Sequence, residues 1–463
     1  MAERFDVVIA GARCAGAPLA TLLGRAGLRV CVVDRARFQS DTASTHGVQP
    51  AGVKILERLG LVEPLLKVTP AIERGTLAFD DAHIEGNSIT ELVGAPMLGP
   101  RRVTLDALLL EAAAAAGAEV RTQTAVTDLV EEGGRVAGVK TKSGELRAPL
   151  VVGADGVNST VARLVGAAKY HEAPAGRIFM WAYFEDAPAD DGHLWLGGIG
   201  DHGFLALPTD SGLFMAAVVP SIERRDEVLA DRESVHASEL AHWPALEAAL
   251  TGAKRVGPVR VMTRDGFFRE SAGPGWVLVG DAGHFKDPSP GQGIADALRQ
   301  AVELASVIER TLGGEVSADP AFRDWWRWRD RDAWEMYWFA HEMGAPGAPP
   351  LLVQEIQKRI ATDPKLIERL VRVLNHELAP SEVFTPALAL AGLSKALLTR
   401  NGQRRTLLRE ARKLAVNNWR RRAPSHPSPA AKRKRRAPGI PLRTGPARRR
   451  SDAGVAATPP ISR

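Results

Sequence analysis

Near the start of the chain the apolar positions run together instead of alternating with polar ones. Val7-Val8-Ile9-Ala10, within FDVVIA, is one such run, and Val30-Cys31-Val32-Val33, within LRVCVVD, is another. Strands buried on both faces of a parallel sheet read this way. Between them AGAPLATLLGRAG reads as a helix that stops at Gly27. The pattern predicts strand, helix, strand in a right-handed unit. A similar style returns in the middle of the chain, in RRVTLDALLLEAAAAAGAEVRT and PLVVGADGVNSTVARLVG. It returns late, in WVLVGDAGHFKDPSPGQGIADALRQAVELASVIERTL.

Other patterns lie between these stretches. VQPAGVKILERLGL predicts a helix, and residues 72–100 predict short paired strands at GTLAFD and SITELVG. AVTDLVEEGGRVAGVKTKSGELRA predicts hairpins turning at Gly133-Gly134 and Ser143-Gly144. RIFMWAYFED, HLWLGGIG, GFLALPTD and GLFMAAVV predict a mostly β module, interrupted by helix near 222–250. From there to about residue 415 the chain reads as helical after its last nucleotide-binding stretch, and no repeat has a solenoid period. The expected fold is α/β: a discontinuous Rossmann-like nucleotide-binding domain (1–72, 100–168, 257–315) interleaved with a mostly β substrate domain (73–99, 169–256). A helical C-terminal region (316–415) and a basic, disordered tail (416–463) follow.

Length and composition sharpen this picture. At 463 residues the chain has room for two or three domains. The N-terminus, MAERFDVV, enters a strand without a signal-like apolar run, and LLLEAAAAAGAEV and PALALAGLSKALL are too short and charged to span a bilayer. The only cysteines, Cys14 and Cys31, make neither a disulfide framework nor a four-ligand metal site. They read as small packing residues, and a cytoplasmic protein is expected. The formal net charge of +6 conceals a division. Residues 416–463 hold 13 Lys and Arg against one acid, Asp452, so the tail carries +12 and the remaining chain −6. KRKRR and RRR offer nonspecific contact with nucleic acid or an anionic surface. With Trp419 alone preceding them, a solvated extension is the expectation.

The chemistry begins at the first turn, VVIAGARCAGAPLA. Gly11 allows a tight turn at the strand end, and Gly16 allows the helix to pack on the sheet. Such a helix N-terminus points N–H groups at a diphosphate. The usual middle glycine is replaced by Arg13, whose guanidinium either supplements the diphosphate site or faces solvent. Asp34, 23 residues after Gly11, stands where an acid accepts ribose hydroxyls, which favours FAD or NAD over NADP. Arg35 is placed to flank adenine. Asp155-Gly156 and Gly280-Asp281 each follow a strand, and Gly291 and Gly293 bring backbone close to a flat ring.

These three stretches, over residues 5–340, resemble the FAD-dependent oxidoreductases of the aromatic-hydroxylase (group A flavoprotein monooxygenase) superfamily, whose cousins include geranylgeranyl reductases and flavin halogenases. The resemblance implies FAD as cofactor. It implies that Gly11, Ala12, Arg13, Ala15 and Gly16 hold the diphosphate and that Asp34 and Arg35 attend the adenosine. Arg102, in the pattern Arg-x-x-Leu-Asp, would reach the diphosphate–ribityl region, with Arg101 beside it as the alternative. Val126 would contact adenine through its backbone, Asp155 would lie near the diphosphate, and Asp281 would bond the ribityl chain. Gly291, Gly293 and Ile294 would follow the pyrimidine edge of the ring. Ser44, Thr45 and His46, in DTASTHGVQP, sit where the family crosses beneath the flavin.

The implied reaction is NAD(P)H-dependent oxygenation of a small organic molecule, aromatic ones included, by molecular oxygen through a flavin C4a-hydroperoxide. A geranylgeranyl reductase-like double-bond reduction is the alternative. A halogenase needs a W-x-W-x-I-P stretch, which neither HLWLGGIG nor DWWRWRD supplies. Such hydroxylation asks little of side chains. His46 is therefore only a weak candidate for acid–base catalysis, with His284 and Lys286 also near the expected cleft. Trp181, Tyr183 and Phe204 are expected to line the substrate cavity. Trp325, Trp326, Trp328, Trp334 and Trp338 are expected to pack one helix against the flavin domain.

Overall fold

The computed structural model describes residues 3–40, 42, 44, 46–86, 88–188, 192–400 and 402–420. The basic tail from residue 421 onward, and Thr45, lie outside the described residues. The chain enters β1 (Val7–Ala10), α1 (Gly16–Arg25) and β2 (Val30–Val33), then reaches α2 (Pro50–Leu59). It leaves for the antiparallel pair β3 (Arg74–Phe79) and β4 (Ala82–Gly86). It returns through α3 (Arg102–Ala115), β5 (Glu119–Arg121), a three-stranded meander over residues 128–147, β6 (Leu150–Gly153) and α4 (Thr160–Leu164). A second excursion contains β7 (Phe179–Glu185), β8 (His193–Ile199), β9 (His202–Pro208), β10 (Phe214–Val218), a helical insertion that includes α5 (Arg232–Leu240), and β11 (Lys254–Met262). The chain comes back with β12 (Trp276–Leu278), α6 (Gly293–Leu312) and α7 (Ala318–Met343). It ends in α8 (Leu351–Ala361), α9 (Pro364–Leu374), α10 (Pro386–Thr399) and α11 (Arg404–Arg420).

Two sheets organise these elements. In the first, β12, β6, β1, β2 and β5 run parallel in that spatial order. Its residues alternate between two cores. Val7, Ile9, Val30 and Val32 pack with α1 and α6, while Val8, Ala10, Cys31 and Val33 pack with the meander. Burial on both faces explains the unbroken apolar runs. The second sheet orders its strands β11-β7-β10-β9-β8-β3-β4, parallel only between β8 and β3. Both excursions therefore build one sheet. Edge strand β11 carries that sheet past residue 256, the border expected from sequence.

Two local expectations fail for identifiable reasons. SITELVG is a helix, Ile89–Val93, because the Ser88 hydroxyl accepts from the Glu91 N–H and caps it. The partner of GTLAFD is instead Ala82–Gly86. Phe204 does not share a face with Trp181 and Tyr183. Side chains alternate along β9, so Leu205 and Leu207 join Trp181 and Tyr183, while Phe204 points to the opposite face and meets Trp243 at 3.6 Å between ring centroids.

The tryptophan helix α7 packs as expected. Trp325 enters the core of the first sheet, and Trp334 sits among Phe268, Tyr337 and Ala333. Trp326 donates its Nε1–H to the Tyr170 hydroxyl at 2.7 Å. Helix α11 continues five residues beyond the expected border at 415. Among the described residues no helix is long and apolar enough to cross a membrane.

Candidate functional site

The carboxyl ends of β1, β6 and β12 converge on one crevice, where a doubly wound sheet places its ligand. Backbone approach there is extremely close. A side-chain carbon on Gly11, whose φ is +103°, would lie 2.3 Å from the Ala154 carbonyl oxygen. One on Gly16 would lie 1.9 Å from the Gly11 carbonyl oxygen. One on Gly280 would meet the Ala15 side chain at 2.8 Å. The first turn, the Asp155 strand end and the Gly280-Asp281 strand end are thus packed against each other, with the N-terminus of α1 between them.

Asp34, at the end of β2, accepts from the Ala12 N–H at 2.9 Å and the Ala36 N–H at 2.8 Å. The segment bearing Val126 is tied to it, since Thr124 N–H donates to the Asp34 carbonyl and Gln123 N–H to that of Ala36. Arg35 is exposed beside this pair. Asp155 turns the other way. Its carboxylate accepts from Thr160 and Val161 N–H at 2.6 and 3.2 Å, so it serves the start of α4 as a cap.

Arg13 does not simply face solvent. Its guanidinium pairs with Asp106, bonds the Ser40 hydroxyl at 2.8 Å and lies 5.3 Å from the Phe38 ring centroid. Arg102 grips the other oxygen of Asp106 with Nε and Nη2 at 3.0 and 2.8 Å. Asp106 is thus a buried anion between two arginines, and Cys14 Sγ lies 3.5 Å from it. Burial pushes the Cys14 thiol up to about 12, which keeps it neutral. Sequence reasoning passed over Asp106, although an Arg followed by Asp four residues later on a helix is a readable ion pair. Arg101 departs from Arg102 altogether, pairing with Asp210 in the turn between β9 and β10 and bonding Ser211.

Asp281 is open to water yet surrounded by protein. Burial pushes its carboxyl up to about 6, against the pull of Arg102. No protein donor among the described residues bonds it. Gly291 adopts φ +65°, and the exposed Gly293 at the start of α6 has nothing within 4 Å of where a side chain would begin. Ile294, the next residue, is buried beneath.

His46 closes the crevice from the side of the second sheet. It is fully buried, adopts φ +59°, and its Nε2 lies 2.5 Å from the Tyr183 hydroxyl. Its Nδ1 has no partner among the described residues. Burial, then the charges of Arg102, Arg101 and Arg260, holds its pKa down to about 3. The ring is therefore neutral at ordinary pH and cannot act as a cationic acid. Ser44 bonds the His46 N–H at 3.0 Å and so shapes this loop.

The other candidates lie elsewhere. His284 is buried against Phe268 and Tyr337, and burial holds it neutral. Lys286 is consumed by Asp296 and Gln292, each at 2.6 Å. His202, Glu239 and His242 gather at the far face of the second sheet. There Glu239 already pairs with Arg224 and His202, and the two imidazoles stack at 3.7 Å, which leaves a cation out of both ring planes.

The crevice therefore offers a helix N-terminus with no side chain in the way, an acid at a strand end, a carboxylate without a protein donor, and open space above Gly293. This donor set fits a flavin adenine dinucleotide. A family model described as an FAD binding domain matches residues 4–321. The chain belongs to that family.

The menaquinone reductase of Mycolicibacterium smegmatis is 30% identical over 347 residues, covering 70% of this chain and 80% of its own. A 12-dehydrotetracycline 5-monooxygenase/anhydrotetracycline 6-monooxygenase of Streptomyces rimosus is 28% identical over 69% of this chain and 65% of its own. A digeranylgeranylglycerophospholipid reductase of Methanocella arvoryzae is 29% identical over 69% and 81%. Among solved structures, the flavin-dependent brominase Bmp2 superposes with a TM-score of 0.70 at 19% identity, covering 85% of this chain and 98% of its own. PqsL of Pseudomonas aeruginosa does so with a TM-score of 0.62 at 22% identity, covering 78% and 98%. At such identities the structures speak for the fold. Family and relatives together make this protein an FAD-dependent oxidoreductase.

Proposed function

We propose that the protein is an NAD(P)H-dependent monooxygenase of a small planar, phenol-like substrate. The observation that carries this reading is the cluster of aromatic and cationic side chains around the buried His46–Tyr183 pair. Three arginines, Arg102, Arg101 and Arg260, all bear on that one buried ring. Two of them place their guanidinium carbons 5.9 and 5.8 Å from the Tyr183 ring centroid. Arg102 and Arg101 are themselves held by Asp106 and Asp210, and donors fixed in this way suit the hydroxyl of a planar, phenol-like ring. Trp181, Tyr183 and Leu205, backed by the fully buried Leu207 and Met215, form the apolar cluster beside them.

Bound FAD supplies the redox chemistry, drawing electrons from the nicotinamide and engaging oxygen. In this reading the chain's own residues bind, orient and exclude water. The α1 N-terminus faces the diphosphate, Asp34 the adenosine ribose, and Arg102 and Asp281 the ribityl region. Gly291, Gly293 and Ile294 follow the ring edge. Neutral His46 keeps a polar atom without a charge beside the substrate.

The reductase relatives carry a second reading, reduction of an isoprenoid double bond or a quinone. Labelled oxygen separates the two. Turnover of phenolic candidates under ¹⁸O₂ with NADH or NADPH should yield product heavier by one labelled atom. Anaerobic turnover of a quinone or polyprenyl acceptor, without label uptake under oxygen, overturns the proposal.

A further inference from the structure

The flavin-facing turn at Gly291–Ile294 is braced from behind by a part of the chain outside the matched residues 4–321. Helix α9 ends in the connection Val373–Glu377, which reaches both walls of the crevice. Gln292 donates from Nε2 to the Val373 and Leu374 carbonyls at 3.0 and 2.8 Å. His376, at φ +57°, brings Nδ1 to within 2.8 Å of Asp296 on α6, and its Nε2 bonds the Asp332 carbonyl at 3.2 Å. Asn375 is 1% exposed. Its Oδ1 accepts the Ala51 N–H at 2.7 Å, at the open start of α2, and its Nδ2 donates to Glu377 at 2.9 Å. Glu377 in turn pairs with Lys54 on α2. The loop that carries His46 leads directly into α2, and Gln49 bonds the Pro290 carbonyl at 3.1 Å across the gap.

We propose that Asn375 and His376 are positioning residues: they set α2 against the Gly291–Ile294 turn and so fix how tightly and in what electronic environment the isoalloxazine is seated. Neither touches the flavin site. Each acts through a backbone or side-chain group one step removed, Ala51 for Asn375 and Asp296 for His376. Asn375 is buried and the His376 side chain is only 8% exposed, so losing either leaves its partner without a ready substitute. The inference rests on FAD binding, not on the choice between oxygenation and reduction.

The test uses the purified full-length holoprotein and the variants Asn375→Ala, His376→Ala and His376→Gln. FAD affinity, the visible spectrum of bound flavin, its reduction potential and thermal unfolding are measured on each. The two alanine variants should bind FAD about tenfold more weakly and show displaced flavin bands and potential. His376→Gln, which keeps one partner for Asp296, should return toward the parent. If Asn375→Ala does not fold, Glu377→Gln loosens Asn375 more gently and should give a smaller displacement of the same kind. Variants that melt earlier while keeping parental affinity, spectrum and potential show a merely structural role and overturn the proposal.

Discussion

His46 and Tyr183 stand 137 residues apart in sequence, and their side chains meet at 2.5 Å in the buried seam between the two sheets. The bond joins the loop ahead of α2 to β7, so it ties the crevice at the first sheet to the second sheet. Arg101 reinforces the seam, running from the start of α3 to Asp210 in the turn that joins β9 to β10 of the second sheet.

Tyr183→Phe removes this link without changing the ring. His46 Nδ1 is already without a partner. The variant leaves Nε2 orphaned as well, and a buried unmet polar atom costs about 1–3 kcal/mol. Urea unfolding should show a loss in that range. Unchanged stability would mean that the seam is held by other contacts.

Two glycines separate folding from cofactor binding. Gly11→Ala forces a carbon to within 2.3 Å of the Ala154 carbonyl at φ +103°, so the turn itself must move. That variant should lose several kcal/mol of stability, on the order of the larger single-mutation effects, and its bound flavin. Gly293→Ala meets nothing within 4 Å. It should melt like the parent and yet purify with little FAD, because the added methyl occupies the space a flat ring needs. Full flavin content in Gly293→Ala would place the ring elsewhere.

The parallel sheet was legible because burial on both faces writes itself into sequence as unbroken apolar runs, as at Val7–Ala10 and Val30–Val33. The turn glycines were legible because no other residue fits where backbones nearly touch. What escaped the sequence depends on contacts between distant segments. The identity of Arg13's partner needed α3, 93 positions away. The face of Phe204 needed the exact register of β9. Gln292 and Asn375 carry no motif at all, and only the fold shows that their bonds bridge α2, α6 and the C-terminal helices.

Arg13 and Arg102 share Asp106 but not its consequences. Arg13→Ala removes one cation from the pair and a bond to Ser40, while Arg102 keeps its two-pronged hold. A loss of about 1–2 kcal/mol is expected, with near-parental flavin content. Arg102→Ala leaves Asp106 to Arg13 alone and withdraws the charge that opposes the rise in Asp281. Losing both buried hydrogen bonds to the Asp106 carboxylate costs about 3–5 kcal/mol, and flavin should be lost too. Guanidinium denaturation with the flavin-to-protein absorbance ratio reads both effects. Equal flavin loss in the two variants would return Arg13 to the diphosphate.

Asp281 makes FAD affinity depend on pH with a fixed sign. Its carboxyl is raised from 3.8 to about 6, so in the flavin-free protein the folded state holds a proton that the unfolded chain has already released. The stability it lends is present below 3.8 and is lost as pH rises through about 6. Ribityl hydroxyls donate best to the ionised form, so bound FAD pulls the group back down and binding releases a proton. Affinity should therefore climb with pH toward a plateau above 6 and be about tenfold weaker one unit below it. Asp281→Asn keeps an acceptor but cannot titrate, so its affinity should be flat across the same window. Fluorescence titration of FAD into flavin-free protein from about pH 5 to 8 decides the matter: parallel slopes in parent and variant would remove Asp281 from the ribityl site.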